Sequence, residues 1–144
     1  MWLAAYRRDT EAVSQESVEG VRQAFEAWTS GDLSSALDAL SPELVTVVHE
    51  PIPLAGTYRG PEGLLQLTVD WAEEFDELLV TAEEHIDARD RVVTRVRHKS
   101  RGAESGAPVE ADIWYVWTIR GGKAVRTDIF NERSEALEAA GLTQ

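Results

Sequence analysis

The stretch that most restricts this chain is Val109 to Asn131, VEADIWYVWTIRGGKAVRTDIFN. Ala111, Ile113, Tyr115, Trp117 and Ile119 alternate with Glu110, Asp112, Trp114, Val116, Thr118 and Arg120, the period of a strand with two unlike faces. The odd-numbered face is the more apolar. A three-residue loop, Arg120-Gly121-Gly122, with Gly122 left-handed and a bulge after it, predicts Ile119 opposite Lys123. That register sets Trp117 against Val125, Tyr115 against Thr127 and Ile113 against Ile129. A two-residue Gly-Gly turn is rejected, because a one-residue slip brings Arg126 and Asp128 beside the apolar face.

The strand before this hairpin reads in the same way. A tight turn at Ser105-Gly106, with Glu104 paired to Ala107, places Val96 opposite Tyr115 and His98 opposite Ile113. Val92, Thr94, Val96 and His98 then share the inner face, and Arg95, Arg97 and Lys99 fall outside, where their charges stay solvated. The inner surface has few polar members: His98, Tyr115, Thr94, Thr127 and the Trp117 indole nitrogen.

Helical spacing of Val18, Val21, Phe25 and Trp28 predicts a helix from Ser17, stopped by Ser30-Gly31-Asp32. A short helix carries Leu33, Ala36, Leu37 and Leu40. Leu44 to His49 reads as a strand ended by Glu50-Pro51-Ile52-Pro53, because proline cannot continue a ladder, and Leu54 to Gly60 as a loop. Pro61 opens a helix with Leu64, Leu67, Trp71 and Phe75 on one stripe. A strand from about Leu78 to Ile86 follows, then a turn at Ala88-Arg89-Asp90. Glu132 to Ala140 forms a last helix, ended by Gly141. Helices segregated from a mostly antiparallel sheet give the α+β class, with the helices over the concave face. Residues 17–144 make the domain and 1–16 an extension, for which the sequence leaves three states open: Trp2, Leu3 and Tyr6 docked on the domain, docked on a partner, or the segment loose.

At 144 residues the chain suits a single core. Its 26 acidic residues against 14 Lys and Arg give a net charge of −12, a field that repels phosphate backbones and anionic membranes. Neither nucleic acid nor membrane is expected as a partner. There are no cysteines, so thiolate metal sites and cysteine nucleophiles are excluded. MWLAAYRRDTEAVS places its basic residues after a short apolar run, the reverse of a signal peptide, and a cytoplasmic protein is expected.

The element order, with AWTSGDLSSALDALSPELVTVVHEP, TYRGPEGLLQL, SGAPVEADIWYVWTIRGGKAVR and SEALEAAGL, resembles the NTF2-like superfamily and its SnoaL-like branch, related to ketosteroid isomerases. The resemblance covers about Val18 to Leu142. It implies a cone-shaped fold, a curved sheet wrapped around the N-terminal helices, that hosts isomerases, cyclases, other enzymes and non-catalytic binders. It further implies a general base at Glu50, the acidic residue before Pro51 at the end of the first strand. Tyr115 takes the place of an acid that stabilises an oxyanion. The first-helix tyrosine of the isomerases falls on Ala24, which has no donor.

Three functional readings follow. In the first, the chain is a cofactor-independent isomerase or cyclase, with Glu50 moving a proton and Tyr115 or His98 holding the oxygen. In the second, it binds a small hydrophobic molecule without catalysis. Both readings require a pocket lined by Phe25, Trp28, Trp71, Val96, Ile113, Trp117 and Thr127, with His49 and Tyr58 at its mouth. The third is an interaction module acting through the sheet's outer face, where Trp114 and Val116 point outward and, as the resemblance implies, form a homodimer. The bland alternatives stand beside these: Glu50 solvated, His98 a core residue, the aromatics simple filling. His49, His85 and His98 have no metal-ligand spacing, so neither metal nor cofactor is expected. Arg95, Arg97, Arg126, Asp112 and Asp128 alternate outward and predict cross-strand ion pairs.

Overall fold

The computed structural model describes residues 2–102 and 105–142, with side chains from residue 16 onward. Helix α1 runs Trp2–Ser30, so the stretch read as an extension is continuous with the first helix of the domain. The docking expected of Trp2, Leu3 and Tyr6 lies outside the described side chains. Gly31, at φ 87°, ends α1. Asp32 then caps α2 (Leu33–Asp38), its carboxylate accepting from the Ser35 amide at 3.2 Å and the Ser35 hydroxyl at 2.7 Å.

Strand β1 (Leu40–Val48) is followed by β2 (Gly56–Arg59), α3 (Gly60–Glu74), β3 (Phe75–Ala88), β4 (Arg91–Gly102), β5 (Pro108–Arg120), β6 (Lys123–Phe130) and α4 (Arg133–Ala139). The six strands form one sheet in the order β2-β1-β6-β5-β4-β3, antiparallel except for the β1–β6 pair. The α+β reading stands. Three local readings do not, the first being Leu40, expected on the short helix but placed at the start of β1. The segment expected as the loop Leu54 to Gly60 contains β2, which pairs with β1 from Val45↔Arg59 to Val48↔Gly56. Phe75, expected on the α3 stripe, has extended backbone and begins β3.

The hairpin faces are as expected, but the partners are not. Arg120 pairs with Lys123 across a two-residue turn, with Gly121 and Gly122 at φ 57° and 76°, the conformation that matches strand twist. Ile119 pairs with Ala124 and Thr118 with Arg126, leaving Val125 as the extra residue of a bulge. The turn rejected on parity is thus present, and the bulge restores the parity. Trp117 lies against Thr127 and Tyr115 against Ile129. The β4–β5 ladder is likewise two residues from expectation: Val96 faces Ile113, Thr94 faces Tyr115 and His98 faces Ala111. The turn pairing of Glu104 lies outside the described residues.

Each face of the sheet has its own core. On the inner face Leu44, Val48, Ile52, Leu67, Trp71, Val92, Val96, Ile113, Tyr115, Trp117 and Ile129 form one buried cluster under α1 and α3. On the outer face α4 lays Ala136, Leu137 and Ala140 over Val93, Trp114, Val116 and Phe130. Trp114 and Val116 are therefore only 6% and 2% exposed within a single chain. This corrects the expectation that they point at a partner: α4 covers them, and the Arg133 guanidinium sits 5.8 Å above the Trp114 ring. Arg91 fastens the end of α4 by donating to the Ala139 carbonyl at 2.8 Å.

On the charged part of the outer face Arg95 and Arg97 make the expected cross-strand pairs, whereas Arg126 pairs with Asp128 along its own strand, β6. Arg97 bonds Asp112 at 3.1 Å, Arg95 pairs with Glu84 and Asp112 at 3.4 and 3.5 Å, and Arg126 bonds Asp128 at 2.9 Å. These pairs satisfy one another in partial solvent and contribute little each to stability.

Candidate ligand-binding site

Helices α1 and α3 lie over different parts of the inner face, α1 against β3 and α3 against β1 and β2. Between them a cavity of about 670 Å³ reaches the sheet. Helix α1 lines it with Gly20, Val21, Ala24, Phe25 and Trp28, α3 with Leu64, Leu65, Thr68 and Trp71, and the sheet with Tyr115, Trp117, Ile119 and Ala124. Glu16, Arg89 and Asp90, all exposed, mark its rim.

Part of the room under α1 comes from two small residues on its lining face, Gly20 and Ala24, set among Val21, Phe25 and Trp28. A Cβ added at Gly20 would meet no atom within 4 Å. Ala24, one turn further, holds the place where the isomerase resemblance puts a tyrosine.

One wall is an aromatic cluster. Tyr115 and Trp117 stack with centroids 5.7 Å apart, and Phe25 sets its ring nearly perpendicular to both, at 6.2 and 5.9 Å. Burial pushes the Tyr115 phenol well above its usual range, so it stays neutral and can donate a hydrogen bond. Among the described residues the only carboxylates lining the cavity, Glu16 and Asp90, stand at the rim.

A second cavity of about 190 Å³ shares Trp71 as a wall and is lined by Pro51, Ile52, Pro53, Phe75, His98, Ser100, Val109, Ala111, Ile113 and Asn131. The Trp71 indole donates to the Pro53 carbonyl at 3.0 Å, and its ring meets His98 edge-on at 5.7 Å.

The structure thus gathers Phe25, Trp28, Trp71, Tyr115 and Trp117 around one space and separates the other expected residues from it. Glu50 is exposed and lines neither cavity. The strand ends at Val48, and a turn closed by Ile52 N–H to the His49 carbonyl buries Ile52 in the core while Glu50 stays in solvent. His49 is on the outer face, not at the mouth. It stacks on Phe130 at 4.3 Å, and its Nε2 lies 3.0 Å from Asp128. The cause is alternation along β1, which points Leu44, Thr46 and Val48 inward.

His98 and Ile113 line the smaller cavity, apart from Tyr115. Tyr58 is held in β2 by its bond to the Leu54 carbonyl, packs against Gly63 and lines neither space. Val96 and Thr127 are fully buried core residues that line neither. His85 bonds Thr94 at 3.0 Å beneath Phe25.

Lining residues that sequence reasoning missed include Gly20, Leu65, Thr68 and Val80. Their only signal is smallness or position beside an apolar stripe. Among the described residues no three of His, Asp and Glu converge as a metal-holding group, and no helix is long and apolar enough to cross a membrane.

Comparison with known proteins places this architecture. An uncharacterised protein of Mycobacterium tuberculosis, Rv0034, is 27% identical over 120 residues, 83% of this chain and 91% of its own length. An NTF2-like protein of Burkholderia thailandensis superposes with a TM-score of 0.72 at 21% identity, covering 88% of this chain and 98% of that one. TerC, crystallised with polyporic acid, gives 0.69 at 21% identity, covering 88% and 98%. A Catenulispora acidiphila protein of ketosteroid isomerase-like fold, in complex with trimethylamine, gives 0.64 at 18%, covering 87% and 94%. The model of the SnoaL-like domain matches residues 21–127, from the middle of α1 into β6. With that match over most of its length and an NTF2-like fold, the chain belongs to the SnoaL-like domain family.

Proposed function

We propose that the chain binds a small hydrophobic molecule between α1 and α3, and that Tyr115 donates a hydrogen bond to an acceptor on it. The observation that carries this reading is a cavity of about 670 Å³ whose interior is apolar and aromatic, with a neutral phenol in its wall. That volume lies in the range of drug-sized ligand sites, and such sites combine apolar walls with a few placed polar groups. Two proteins of the same fold, TerC and the C. acidiphila protein, were crystallised with small organic molecules, which supports the reading by analogy of fold.

Binding without chemistry accounts for the arrangement better than proton transfer. An isomerase or cyclase needs a base within reach of the bound carbon. Glu50, the residue proposed for that role from sequence, lines neither cavity, and Glu16 and Asp90 stand at the rim.

The test uses N-phenyl-1-naphthylamine, a neutral apolar fluorophore. Its emission is expected to rise on binding, and Ala24→Trp, which fills the space beneath α1, is expected to weaken binding by about tenfold or more, equivalent to ~1.4 kcal/mol. Circular dichroism checks that the variant is folded. Equal binding by a folded Ala24→Trp variant, or no binding by the wild type, would remove the reading.

A further inference from the structure

His98 has no task in the main cavity. It stands on β4 facing Ala111 of β5, in the wall of the smaller cavity, and its Nε2 is buried without a hydrogen-bond partner among the described residues. Such an atom is costly to bury unless something meets it. Ser100, two residues on and therefore on the same face, is 9% exposed and lines the same space. Across the ladder Ala111 and Val109 are short, which leaves room in front of both polar side chains. Trp71 closes the opposite side. Its N–H is already committed to Pro53, so the ring offers only apolar surface. Among the described residues no Asp, Glu, Lys or Arg lines this cavity, and burial lowers the His98 pKa, so the imidazole is neutral near pH 7. A charged molecule would find no counter-charge there, whereas an uncharged one with a single hydroxyl would find both an apolar enclosure and an acceptor.

We propose that the smaller cavity is a separate binding site for a small uncharged hydroxyl compound of phenol size, whose O–H donates to His98 Nε2. The imidazole proton is then on Nδ1, and Phe75 and Trp71 flank the apolar body. This site is distinct from the main cavity and does not rest on the function assigned to it.

The probe pair is 4-methylphenol and toluene, alike in shape and different in the hydroxyl. Saturation-transfer NMR on the full chain is expected to show 4-methylphenol binding about tenfold more tightly than toluene, the loss expected for a buried acceptor left unmet. N-phenyl-1-naphthylamine is expected not to displace it. The nitrogen-15 resonance of His98 Nε2 is expected to shift on binding, and His98→Phe to weaken 4-methylphenol by a similar factor while leaving the fluorophore's affinity unchanged.

Equal affinity for the two probes, displacement by the fluorophore, or an unmoved His98 resonance would overturn the proposal. If His98→Phe fails to fold, the probe pair and the nitrogen shift on the wild type still decide. Failure of the fluorophore to bind would count against the main-cavity reading alone, because the probe pair and the resonance are read without it.

Discussion

Glu50 and Ile52 are two residues apart, and the structure gives the second the inward place that the family resemblance assigns to the first. Only the turn after Val48 decides between them, and its closing bond, from Ile52 N–H to the His49 carbonyl, cannot be read from side-chain pattern. Glu50→Gln is expected to leave both the unfolding midpoint and fluorophore affinity unchanged. Ile52→Ala removes a side chain that is 7% exposed and is expected to cost about 2–4 kcal/mol in urea unfolding. A clear loss of binding in Glu50→Gln would restore that carboxylate to the site.

Two histidines set the acid response. Burial lowers the pKa of His98, and burial followed by the nearby Arg22 charge lowers that of His85. The folded chain therefore holds fewer protons than the unfolded chain once the pH falls toward the ordinary histidine value of about 6.5. Stability from these groups is complete above that pH and is lost as the pH drops through it toward the folded values. Urea midpoints are expected to fall between pH 7.5 and 5.5, and less steeply in His98→Leu than in the wild type.

At the scale of elements, the faces of β4, β5 and β6 were legible and their partners were not. Alternation fixes which side chains share a surface, and parity survives a shift of two residues. Register depends on turn geometry, which Arg120-Gly121-Gly122-Lys123 leaves open between two solutions. The chain takes the tighter turn and absorbs the mismatch at Val125. Because both glycines are left-handed, Gly121→Ala and Gly122→Ala are each expected to cost about 1–2 kcal/mol in chemical denaturation. With the three-residue loop, only Gly122 would need that conformation, so a neutral Gly121→Ala would contradict the observed turn. Helix α4 was legible as a helix but not as a cover. Nothing in its seven residues states which face of the sheet it meets, and the outward Trp114 therefore looked available to a partner.

For the molecule as a whole, aromatic residues at helical and strand spacing announced a pocket, and five of those named do surround one. Its size was hidden, because part of it comes from what is missing at Gly20 and Ala24, and absence of side chain carries no periodic signal. The net charge of −12 acts on this pocket from outside. The rim carries Glu16 and Asp90 against Arg89, while the interior holds no charge among the described residues, so the field of the whole chain meets a ligand before the walls do. A neutral ligand should be indifferent to that field and an anionic one of similar shape should be repelled. N-phenyl-1-naphthylamine is therefore expected to bind with an affinity that hardly changes from low to high salt. Its anionic relative 8-anilinonaphthalene-1-sulfonate is expected to bind more weakly at low ionic strength and to gain about severalfold as salt screens the repulsion across a Debye length of ~10 Å at 0.1 M. If the sulfonate instead bound more tightly at low salt, Arg89 would be acting as a local anion anchor at the rim, and the pocket's natural ligand would have to be sought among hydrophobic acids instead of neutral molecules.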